Sequence, residues 1–131
     1  MASRITAIRK YKPDIQHGLT LQTPELLEDI SLRTSLRESE VIYVVNELRE
    51  AILLAHRHGR AVKIEGLGTF TPSLRLNGSL DVAFRPAVEM LKKLNKQKLY
   101  VDILNKSNIG KSSKQLIAEW NKDHPGNLVE K

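Results

Sequence analysis

The chain has no cysteine, few aromatic residues and no long apolar run. Without cysteine there is no disulfide framework and no thiolate nucleophile or ligand, which suits a reducing interior. Aromatics make up 5% of 131 residues against 40% hydrophobic overall, so any core must be aliphatic. No stretch approaches the roughly 20 apolar residues that span a bilayer. The opening MASRITAIRKYKPD lacks the unbroken apolar segment of a secretory signal. Catalytic patterns are missing too. Glu65 is the only acid in a tight turn and has no evident partner, and there is no nucleophile elbow. His56 and His58 stand two apart on a helical stretch and do not face each other, with no further ligands clustered nearby. Gly110-Lys111-Ser112 echoes the end of a phosphate-binding loop, but the glycine that loop needs five residues earlier is Asn105. The sequence therefore implies no catalytic residues, metal, cofactor, membrane or small-molecule substrate.

What is present is positive charge, unevenly spread. The net formal charge is +6, divided as +3 over residues 1–20, −3 over 21–59, +5 over 60–98 and +1 over 99–131. A body with one side facing a polyanion has this polarity; a solvated basic face would have it as well.

Residues 1–22 have weak periodicity and read as a basic arm or edge strand, with Ile5, Ala7 and Tyr11 alternating before Pro13-Asp14. Thr23-Pro24-Glu25 starts a helix with Thr23 as cap, Leu26, Leu27 and Ile30 inward, and an end near Arg33. Ser35 with Glu38 fits a capping box for a second helix from about Arg37 to His58, closed by Gly59. Val41, Val45, Leu48, Ile52 and Ala55 form one face of it, and Ile42, Val44, Leu53 and Leu54 a second sector. A helix apolar around so much of its circumference needs burial on several sides. Either a partner subunit supplies the cover, most simply an identical one, or the terminal extensions do.

Val62 and Ile64 form a strand leading into Gly66-Leu67-Gly68. Phe70, Pro72, Leu74 and Leu76 then alternate with polar residues, as do Leu80, Val82 and Phe84. A three-residue loop at Asn77-Gly78-Ser79 would pair Leu76 with Leu80, Leu74 with Val82 and Pro72 with Phe84, with every apolar residue on one face. Arg85-Pro86 opens a third helix carrying Val88, Leu91 and Leu94 inward and Lys92, Lys93 and Lys96 outward. Leu99 to Leu104 either continues that helix or is extended. After a linker at 107–113, Ser113 caps a last helix with Leu116, Ile117 and Trp120 as its stripe, Trp120 docking it on the body or on another copy.

The order of GRAVKIEGLGTF, a polar hairpin and VAFRPAVEMLKKL resembles the HU/IHF family of bacterial DNA-binding proteins. Its signature is a G-[FL]-G-[TS]-F turn followed by an F-x-P-type helix start. The resemblance covers residues 23–98. It implies an α+β fold: a helix pair, a three-stranded antiparallel sheet with a short β-arm and a short helix, in an intertwined dimer. Residues 1–22 and 99–131 are extensions. The implied function is that of a histone-like, nucleoid-associated, cytoplasmic homodimer that condenses DNA. It would bind duplex through its basic hairpins, in the minor groove, with little sequence specificity. The alternative is a dimeric scaffold of HU-like fold that binds protein and has lost DNA bending.

The candidate DNA-contacting residues are Arg60, Lys63, Arg75, Asn77, Arg85, Lys92 and Lys93, with Arg75 foremost because strand parity puts it on the polar face beside the tip. Arg4, Arg9, Lys10 and Lys12 could add a second contact. The chain departs from the family pattern in its stub of an arm, whose Asn77-Gly78 tip lacks the R-N-P-x-T-G proline that wedges between base pairs. It departs again in having Ala87-Val88 where a G-K pair is usual.

Overall fold

The computed structural model describes residues 1–129. It divides into two compact units: residues 20–98, and a second unit assembled from residues 1–19 and the segment from 99 onward. In chain order the helices are α1 (Arg4–Tyr11), α2 (Thr23–Arg33), α3 (Glu38–Arg57), α4 (Val88–Lys96) and α5 (Ser113–Asp123). The strands are β1 (Asp14–Ile15), β2 (Val62–Ile64), β3 (Gly68–Leu74), β4 (Leu80–Pro86) and β5 (Ile103–Leu104).

Residues 20–98 form a helical hairpin, an antiparallel sheet in the order β2-β3-β4, and α4. Thr23 is the first helical residue of α2 rather than its cap; Gln22 is the N-cap and makes no side-chain bond. Thr34 turns the chain between helices, its hydroxyl donating to the Ile30 carbonyl at 2.9 Å and accepting the Leu36 N–H at 3.2 Å. The start of α3 is held by Glu40, whose carboxylate accepts the Arg37 N–H at 3.3 Å. That acceptor displaces the Ser35–Glu38 box expected from the sequence by two residues. Gly59 closes α3 at φ +73°, where a side chain would be strained.

The hairpin keeps the expected face but not the expected register. Phe84 pairs with Phe70, Val82 with Pro72 and Leu80 with Leu74. Arg75 N–H donates to the Ser79 carbonyl at 2.8 Å and Gly78 N–H to the Arg75 carbonyl at 2.9 Å. The three-residue loop is thus Leu76-Asn77-Gly78, one position earlier than expected. A type I turn followed by a left-handed residue is the usual geometry for this length, and Gly78 at φ +88° is where glycine belongs. In the other loop that conformation would fall on Ser79. Parity excludes odd slips; the glycine decides among the even ones. At the far end Pro86 is the last residue of β4 rather than the opening of a helix, and α4 begins at Val88.

Val41 is the one buried hydrophobic residue of this unit among the described residues. Val44, Val45, Leu48, Leu53 and Leu54 of α3 are exposed, as are Leu74, Leu80, Val82 and Phe84 on the sheet and Val88, Leu91 and Leu94 on α4.

The second unit replaces the arm or edge strand read for residues 1–22 with a helix. Ser3 caps α1, its Oγ accepting the Thr6 N–H at 3.1 Å. The other end of α1 is satisfied from 93 to 97 residues downstream. Asn105 donates to the Lys10 and Lys12 carbonyls at 2.7 and 3.0 Å, and Asn108 to the Tyr11 carbonyl at 2.8 Å. Asn108 is buried, so that bond answers a carbonyl that would otherwise lack a partner. β1 pairs with β5, and Ala2 bridges to Val129. Helix α5 is capped by Ser112, one residue before the expected Ser113, in a reciprocal box with Gln115. Ala2, Ala7, Trp120 and Val129 make a small core. Trp120 stacks on His124 at 3.8 Å, meets Tyr11 edge-on and donates to the Asn127 carbonyl. Buried in this way, it has no ring face free for a base.

The Tyr11 hydroxyl donates to the Asp123 carboxylate. That bond, with lesser help from desolvation and the neighbouring acids, pushes the phenol up from 10.0 to about 12. A folded value above the unfolded one means the bond stabilises fully below pH 10 and is lost as pH rises towards about 12. Near-ultraviolet circular dichroism of Trp120 should report loosening of this unit across that window. Tyr11→Phe, which never has the bond, should lack that step; identical profiles would show that the bond contributes nothing.

Candidate nucleic-acid interface

Gly66-Leu67-Gly68 carries the chain from β2 into β3 with Gly66 at φ +79° and Gly68 at φ +156°. Leu67 accepts the Ala87 N–H at 3.0 Å, which ties this turn to the start of α4 and continues the ladder past Pro86. A Cβ on Gly68 would lie 2.4 Å from the Arg85 carbonyl oxygen and 2.7 Å from the Phe84 ring. Phe84 in turn packs on Phe70, ring centroids 4.8 Å apart. The glycine thus lets two strands and an aromatic pair close on one another.

The register sets Lys63 opposite Thr69 and Thr69 opposite Arg85, a single row across all three strands. Two cations therefore flank a hydroxyl on the polar face. Lys63, Thr69 and Arg85 also line a cleft of about 290 Å³ beside the first turn of α4. Lys63 reaches Glu65 at 3.6 Å, but both side chains are well exposed, so water screens the pair. Arg85 makes no ion pair among the described residues.

The other candidates are not gathered into this row. Arg75 stands at the far end of the hairpin and donates to Asp81 at 2.9 Å. That hydrogen bond holds the Asp81 carboxyl below the usual carboxylate range, with the Val82 N–H adding to it. Asn77 is occupied within the loop, its Oδ1 accepting the N–H and the hydroxyl of Ser79 at 2.9 and 2.7 Å. Arg60 lies between α3 and β2 with its carbonyl taken by His56 Nδ1, and Lys92 and Lys93 are exposed on α4. Sequence reasoning missed Thr69 as the centre of the row and Asp81 as the partner of Arg75. The signal for both was strand parity, which sets them on the same face as the cations. Leu76, read as a paired strand residue, is instead the fully exposed tip.

The sequence matches the HU-HIG family, described as an HU domain fused to a wHTH, Ig or glycine-rich motif, over residues 6–83, which is more than half of the chain. The chain belongs to this HU-like family. That family is a non-enzymatic DNA-binding one. Among solved structures, a mutant HU from Thermotoga maritima aligns over 56% of this chain and 99% of its own, at 20% identity and a TM-score of 0.48. Comparison with curated proteins gives no match. The observed unit of helices and antiparallel strands is the α+β HU-like fold. No helix among the described residues is long and apolar enough to cross a membrane, and no group of three or more potential ligands is placed to hold a metal.

Replacing Gly68 with alanine should destabilise the HU-like unit by about 1–3 kcal/mol, from overpacking against Arg85 and Phe84 in a strained conformation. Urea unfolding would measure it. A change within a few tenths would mean that this approach is relaxed in solution.

Proposed function

We propose that the chain acts as a homodimer that binds duplex DNA through its basic sheet face and α4, with little sequence specificity, as a nucleoid-associated architectural protein of the bacterial cytoplasm. The observation that carries the dimer is the uncovered apolar surface of the HU-like unit. A unit of this size cannot offset its chain entropy with Val41 alone buried. Fully burying each exposed leucine or valine contributes about 1.5–3 kcal/mol. A second copy of α3 is the surface of matching chemistry, and a symmetric pair satisfies both copies at once.

The DNA reading is supported by the Lys63–Thr69–Arg85 row beside the start of α4, together with the family. Contacts of this kind neutralise phosphates and release counterions, so they read charge and shape rather than base identity. The short hairpin, lacking a tip proline, gives no support to sharp kinking. A second reading, a dimeric protein-binding scaffold, is favoured by one observation: the foremost hairpin cation is held by Asp81.

Sedimentation equilibrium should give twice the chain mass, and Leu48→Glu on α3 should unfold the unit or halve that mass. A folded parent of single-chain mass would end the dimer reading. Gel-shift titration at several salt concentrations separates the two functions. Arg85→Ala should weaken duplex binding several-fold and flatten the salt slope by about one unit. Asp81→Asn, which releases Arg75, should strengthen binding. No duplex binding by the parent at low salt would favour the scaffold.

A further inference from the structure

The unit built from the two ends of the chain is more basic for its size than the HU-like unit. It carries nine lysines and arginines against five acids, where residues 20–98 carry twelve against ten. Three of its four described acids have partners within the unit, while Asp102 is exposed. Glu119 is paired with Lys111, Asp123 accepts from Tyr11, and Asp14 accepts the Ile15 N–H at 2.8 Å and lies 3.5 Å from His17. By contrast Arg4, Arg9, Lys12, Lys106, Lys114 and Lys122 are exposed and make no ion pair among the described residues.

Some of these cations converge. Asn105 grips the carbonyls of Lys10 and Lys12, which sets Lys106, its neighbour, beside the C-terminal end of α1. Lys122 lines a cleft of about 310 Å³ there with Tyr11, Asn105, Ser107 and two carboxylates that have partners of their own, Glu119 with Lys111 and Asp123 with Tyr11. Lys10 reaches over the Trp120 ring at 5.3 Å and contacts His124 Nε2 at 3.2 Å. His124 Nδ1 faces the Trp120 carbonyl at 3.1 Å and must donate to it, so Nε2 is free to accept from the ammonium. Lys10 makes no ion pair with a carboxylate among the described residues.

We propose that this end-built unit is a second DNA-contacting surface, in which Lys10, Lys12, Lys106 and Lys122 hold the phosphate backbone. The inference rests on the DNA-binding reading above. Duplex DNA is favoured as occupant because the chain already brings it close. A second, tethered contact then forms at high effective concentration and adds avidity without sequence readout. An HU-like unit with a stub arm and a hairpin arginine bound to Asp81 needs such an addition most.

The test is a duplex titration over a salt series with the full chain and with Lys12→Gln, Lys106→Gln and Lys122→Gln combined. Near-ultraviolet circular dichroism of Trp120 reports whether the unit remains folded. The proposal expects the slope of log affinity against log salt to fall by up to about 2.7, or 0.9 per phosphate contact. Independently of folding in that variant, a photocrosslinking residue at position 106 of the otherwise unaltered chain should attach to bound duplex. If the parent binds but the folded variant keeps its slope, or no crosslink forms, this proposal is overturned and the HU-like reading survives. If the parent binds no duplex at low salt, the HU-like reading fails and takes this proposal with it.

Discussion

Everything in the HU-like unit depends on where its aliphatic side chains go. A long helix with apolar residues around most of its circumference cannot be buried by one neighbouring helix and a three-stranded sheet. α3 is 20 residues long and buries Val41 alone, although Leu48, Leu53 and Leu54 lie further along it. The scarcity of aromatics sharpens the point, since few bulky rings are present to fill the gap from within. Under the dimer reading one surface does two jobs. It completes the core, and it fixes the separation of two basic sheets. Association and DNA recognition are then parts of a single folding problem.

The rest of the unit is arranged around close backbone approach. Gly68 lets β3 run against β4 beside Phe84, and the Leu67 carbonyl receives Ala87 at the start of α4. Those two contacts carry the Lys63–Thr69–Arg85 row to the helix start. Charge enters on a frame already set by van der Waals contact. At the far end of the hairpin the logic is different. There Arg75 is exposed, and a carboxylate two strand positions from the loop answers it.

What could be read from the chain beforehand was whatever depends on near neighbours. α2 and α3 ended where periodicity and Gly59 said they would, and alternation put the right side chains on each sheet face. The row at the start of α4 was half legible: Lys63 and Arg85 were singled out, but their meeting across Thr69 needed the register. That register turned on one glycine in the loop, which parity cannot locate. α1 was hidden for a stronger reason. Its C-terminal carbonyls are capped by Asn105 and Asn108, and its apolar side meets Trp120, so within residues 1–22 the Ser3 cap is the main local sign of it. The partner of Arg75 was missed in a related way, because it sits across a turn whose register the sequence left open. Local rules see caps and stripes; they do not see groups satisfied from 90 residues away.

The bridge between Ala2 and Val129 has a temporal consequence. Ribosomes release a chain from its first residue onward, and domains form as their sequence emerges. α1 leaves the tunnel early yet must wait for Asn105, Asn108 and α5 before its core can close. Residues 20–98 are complete well before that moment. α1 therefore stays open until the segment that closes on it has been made, by which time the HU-like unit is already complete.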